Sequence, residues 1–156
     1  MSEMPLDFPA LLEKAIDWAS DLEAQILESG RELASNESID ARLAGVKEPA
    51  RIRLLAVPLL PLPEDESLLA ANRQIGLVTP DGAGLAIGYA VLIREEFQRD
   101  RRSLVHEFVH VAQYERIGGV DPFLREYLTE VARAGYQESA LEKEAVRRTL
   151  AIVGER

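Results

Sequence analysis

The chain has no cysteine and only two histidines among its 156 residues. The first absence excludes a disulfide and any thiolate metal site. The second forces any imidazole chemistry onto His106 and His110. Basic residues are scarce, 18 Lys and Arg against 27 Asp and Glu, for a net charge of -9. That balance argues against nucleic acid, whose phosphates demand clustered cations, and against anionic lipid. Long apolar runs are missing too. The most apolar stretch, Leu54 to Leu62, is short and holds Pro58 and Pro61, so no membrane span is expected. Met1 to Pro5 lacks a basic region followed by an apolar one, so no secretory signal is read, and the cytoplasm is the expected location.

What is present is the material of one globular domain, residues 1–156. Leu11, Leu12, Ala15, Ile16, Ala19, Leu22, Ile26 and Leu27 recur at steps of three and four, predicting an amphipathic packing helix within about 9–29. Asp7 with Pro9 marks its start and Gly30 its stop. Ile39 to Ala44 reads as a short second helix. Arg51 to Val57 reads as a strand, ended by Pro58, Pro61 and Pro63. Glu64 to Glu66 reads as a solvated loop. Ile75–Val78 and Leu85–Ile93 read as two further strands around the turn Thr79-Pro80-Asp81-Gly82-Ala83-Gly84, with Gly88 marking a bulge or close approach. From Arg101 the pattern is helical: Asp100 to about Ile117, Pro122 to about Ala134, and Ser139 to about Val153. Helix, then a sheet region over about 50–94, then helices over about 101–153 predicts an α+β domain with a small antiparallel or mixed sheet.

His106-Glu107-Phe108-Val109-His110 carries the chemistry. Positions four apart stack on one helix face, so both imidazoles can meet one ion. Glu107 lies about a quarter turn away, where its carboxylate reaches a metal-bound water rather than the metal. Leu104, Val105, Phe108, Val109, Val111 and Ala112 form a broad apolar face. His106, His110, Gln113 and Ile117 form the other, which is expected to look into a cleft. Two surface histidines on an amphipathic helix would explain the apolar face equally well, but not the conjunction of His, Glu and His.

A catalytic zinc site needs a third protein ligand and an open position. On the last helix, Glu142 falls inside the stripe of Leu141, Ala145, Val146, Thr149, Ile152 and Val153, and Glu144 falls outside it. A carboxylate aimed at the core is costly unless paired or metal-bound, which points to Glu142. The competing role for Glu142 is to close a capping box with Ser139.

His106 to His110, followed by a glutamate on a second helix, resembles the zincin metallopeptidases, and more narrowly the gluzincin arrangement of two His and one Glu on zinc. Glu142-Lys143-Glu144-Ala145 is similar to the family's Glu, two residues, then small residue, and implies Glu142 as the ligand. Where that family places Asp or Asn one residue later, this chain has Val146, which leaves the partner of the His ligands unassigned and keeps Glu144 as the alternative. The run from Gly84 to Ala145 also resembles small bacterial proteins described as metallopeptidases. The resemblance implies an edge strand above the active-site helix, here Leu85 to Ile93, that pairs with an extended peptide.

The expected function is hydrolysis of a peptide bond. His106, His110 and Glu142 hold Zn2+, Glu107 acts as general base, and Tyr136, Tyr114 or Arg102 stabilises the oxyanion. The expected partner is a peptide or protein substrate. Two rivals share these residues: a zincin-like binding module without turnover, and a ferrous protein with two His and one carboxylate.

Overall fold

The computed structural model describes residues 7–75 and 78–154, the side chain of Gln137 excepted. The fold is α+β. The described residues form six helices, α1 (Phe8–Ser29), α2 (Ser35–Leu43), α3 (Glu66–Ile75), α4 (Arg101–Ile117), α5 (Val120–Ala134) and α6 (Ala140–Val153), and three strands, β1 (Arg53–Val57), β2 (Gly84–Ile87) and β3 (Ala90–Arg94). The sheet order is β1-β3-β2, with β1 parallel and β2 antiparallel to β3, so the sheet is mixed. No helix among the described residues is long and apolar enough to cross a membrane.

Most elements fall where periodicity and caps put them. α1 opens with Pro9 in its first turn and stops at Gly30, whose N–H donates to the Ile26 carbonyl at 2.7 Å. Asp100 caps α4 by accepting the Ser103 N–H, and Gly118 ends that helix with φ +119°. A left-handed residue there satisfies the last carbonyls of α4 without a Cβ penalty. α4 is the axis of the fold. Val105, Phe108, Val109 and Val111 lie in the main core with Ile52, Val91 and Ile93, and α6 packs along α4, adding Ala145 to the same core. α2 starts at Ser35, four residues before its expected start, and β1 is preceded by a 3-10 turn at Pro49–Arg51.

Three readings between Glu64 and Ile93 need correction. Glu66 belongs to α3, not to a loop, and Ile75 ends that helix instead of opening a strand. Asp65 nucleates α3: its carboxylate accepts the Leu68 N–H at 2.9 Å. None of the helix's residues is fully buried. Residues 76–77 of the expected strand lie outside the described residues. Leu85 to Ile93 is not one strand but a hairpin, in which Ile87 pairs with Ala90 across the two-residue turn Gly88-Tyr89.

Gly88 has φ +62°, and a Cβ there would collide with the Glu23 carboxylate, which accepts the Tyr89 N–H at 3.0 Å. Gly88→Ala is therefore expected to destabilise the fold by about 1–3 kcal/mol, the cost of a strained non-glycine conformation with a displaced acceptor. Urea unfolding monitored by circular dichroism measures it; an unchanged midpoint would show that the turn relaxes freely.

Candidate metal centre

The two histidines project from α4 toward α6, where Glu142 stands in the first turn. His106 Nε2 lies 2.9 Å from Glu142 Oε1, and His110 Nε2 lies 3.2 Å from Oε2. The two rings meet edge to face, with centroids 4.9 Å apart. One donor atom from each of the three residues falls within 4.8 Å of the others. Atoms bound to one zinc at ~2.0–2.1 Å in tetrahedral directions sit roughly 3.4 Å apart. The two His-to-Glu distances are slightly below this spacing, and the whole group stays within 4.8 Å. Two imidazoles and one carboxylate thus converge with one side open to a cavity, a group of donors that could hold a metal ion.

Ser139 supplies half of the capping role proposed for it. Its hydroxyl accepts the Glu142 N–H at 3.3 Å, but its own N–H donates to the Tyr136 carbonyl. The Glu142 carboxylate is thus free for the histidines. Glu144 is not with them. It accepts from Gln113 Nε2 at 2.7 Å and from Arg116 at 3.0 Å.

Gln113 is fully buried rather than facing the cleft. Its Oε1 lies 2.8 Å from His110 Nδ1, and its Nε2 donates to the Leu141 carbonyl and to Glu144. Both partners of Nε2 are acceptors, which fixes the amide's orientation. Nδ1 of His110 therefore carries a hydrogen, and Nε2 is the atom left for a ligand. Gln113 and Glu144 together fill the supporting role that the exposed Val146 cannot. Gln113→Leu keeps the bulk and strands His110 Nδ1, so zinc affinity is expected to fall about 10–100-fold, as when other such supporting partners are lost. Competition with a chromophoric chelator reads this; an unchanged affinity would remove Gln113 from the site.

Glu107 is 7% exposed and accepts the Ala86 N–H of β2. Gly84 permits that approach, since a Cβ there would stand 3.1 Å from Glu107 Cγ and 2.9 Å from the Leu92 carbonyl. Burial pushes the Glu107 carboxyl above its usual range, although His106 and His110 pull the other way. Burial also raises Glu142, but its bonds to both histidines win and hold it far below the usual range. For His110, burial lowers the imidazolium's pKa, while Glu142, Glu107 and Gln113 together carry it above normal.

Two tyrosines missed or only guessed from the sequence face Glu142. Tyr127 donates to Oε2 at 3.4 Å, and Tyr136 also bonds this carboxylate. Burial first, then the Glu142 charge, raises both phenols, so both stay protonated donors. Tyr136 lines the cavity beside His106 and Glu107. Tyr114 also lines the cavity, with its ring stacked on Phe123 at a centroid distance of 3.8 Å. Arg102 donates to the Gly154 carbonyl at the far end of α6 and does not line the cavity. No family model, curated protein or solved structure matches this chain.

Proposed function

We propose that this chain is a zinc-dependent hydrolase of amide bonds, a small zincin-like peptidase. The observation that carries the reading is the convergence of His106 and His110 Nε2 with the Glu142 carboxylate from another helix, Glu107 being held beside them by β2. Bound zinc would acidify a coordinated water and polarise the amide carbonyl. Glu107 takes the proton of the attacking water and passes it to the leaving nitrogen. Gln113 fixes the His110 ring, and Tyr136, which lines the cavity with His106 and Glu107, is the candidate oxyanion donor. Ferrous iron accepts the same donor set. The buried carboxylate directly after the first histidine favours hydrolysis, because iron oxygen chemistry has no obvious use for such a base.

Zinc titration of chelator-treated protein, followed by assay on quenched peptides, tests the reading. One equivalent is expected to bind and to restore cleavage that the chelator abolishes. No binding, or binding with no cleavage of any amide, would leave a zincin-like binding module. Iron in elemental analysis of protein purified without added metal would replace the hydrolase with the ferrous alternative.

A further inference from the structure

The His-Glu-His end of the site opens into a cavity of about 470 Å³ whose remaining wall is mostly carbon. α1 contributes Leu12, Ala15 and Trp18, and α5 contributes Leu124 and Leu128. This is the half of the molecule whose amphipathic stripe predicted only packing. A cavity of ~150 Å³ lined by Leu, Ile and Phe holds one benzene. The present one is roughly three times larger, too large for one amino-acid side chain.

Two observations decide what fills it. First, β2 is a poor template for an extended peptide. It is four residues long, and the Ala86 N–H is already given to Glu107. Second, the amide of Asn72 on the α3 side is committed in both directions to the Val78 backbone. A polypeptide main chain lying against this wall would find few partners for the N–H and C=O groups it withdraws from water, each costly when buried unpaired. A hydrocarbon chain has no such groups to satisfy.

We infer that the chamber seats the acyl chain of an N-acyl amino acid or N-acylated short peptide, with the amide at Glu107 and the zinc ligands. This rests on the hydrolase reading for its claim that the occupant is a substrate. The step balances: the water oxygen bonds to the acyl carbon, and the C–N bond breaks. One water proton travels through Glu107 to the leaving nitrogen and the other passes from the new carboxyl group to the amine or to solvent, leaving a carboxylate and an amino acid.

Trp18, the only tryptophan, lines the chamber and reports directly on it. Zinc-free protein is titrated with N-acyl-glycinamides from acetyl to dodecanoyl, following Trp18 fluorescence. Affinity is expected to rise about fourfold per methylene, the transfer value for apolar burial, and to level off as the chamber fills. Ala15→Phe, or Ala132→Phe if the first variant does not fold, should weaken long-chain binding at least about tenfold by overfilling the space, while N-acetyl-glycinamide is unaffected. Affinity that ignores chain length, N-acetyl-trileucinamide binding as tightly as the dodecanoyl compound, or folded plug variants that bind long chains normally would each overturn the inference. The zinc-loaded protein, assayed on the same series, separates this proposal from the reading beneath it. Cleavage of short amides without chain-length dependence sinks only the chamber; graded binding without any cleavage sinks only the hydrolase.

Discussion

Glu107→Gln is expected to leave one equivalent of zinc bound and to lower turnover by about 10²–10⁴-fold, the usual contribution of a positioned proton-transfer group. The separation of the two effects follows from the geometry. Glu107 is not among the three groups that converge, and the amide oxygen of glutamine can still accept the Ala86 N–H. The substitution is nearly isosteric, so the close approach of β2 at Gly84 is kept. What glutamine cannot do is accept and return a proton. The loss should appear in kcat with little change in KM, because a group used only in the transition state does not hold the ground state. Atomic absorption gives the metal content, and steady-state kinetics on any amide the parent cleaves gives the split. Turnover equal to the parent would remove Glu107 from the mechanism.

The sequence showed part of this arrangement and hid another part. α4 was legible because its apolar period, the Asp100 cap and the Gly118 stop agree on one helix. Glu142 was legible because a carboxylate inside an apolar stripe needs a reason, and the structure places that reason on α4. The role of Gln113 was hidden. On the helix wheel it belongs to the polar face with the histidines, yet it is buried because α6 lies over it, bringing Leu141 and Glu144 within reach. Nothing local announces a contact between positions 31 apart in the chain. Tyr127 was hidden for the same reason, since its link to Glu142 depends on how α5 meets α6. The hairpin failed at a single residue. Gly88 was read as a bulge or close approach within one strand, whereas its positive φ makes the turn between two. α1 shows a further limit. An amphipathic stripe says that a face is covered, not whether packed side chains or a cavity lie opposite.

Glu142→Gln is expected to weaken zinc binding by at least about a hundredfold, beyond the ~10–100-fold of a supporting partner, because a charged ligand is lost outright. The variant also exposes how the metal-free site is held together. Without an ion, the carboxylate bonds both histidines, and His110 keeps its proton to a higher pH than an ordinary imidazole. That proton competes with the metal. Zinc affinity of the parent should therefore rise with pH until the raised His110 pKa is passed, with protons released on binding. The sign for stability runs the other way. A raised imidazolium pKa stabilises the metal-free fold fully below the unfolded value of about 6.5, and this contribution is lost as pH climbs through the folded value. In Glu142→Gln the hydrogen bond and charge of Glu142 are gone, leaving Glu107 and Gln113 alone against burial, so the His110 pKa falls from its raised value. The pH limb of the remaining zinc affinity should then move downward. Calorimetry in buffers of different ionisation heat counts the protons, and zinc-dependent thermal unfolding gives the affinity through the shift in Tm. A Glu142→Gln variant that binds zinc as tightly as the parent would take Glu142 out of the ligand set.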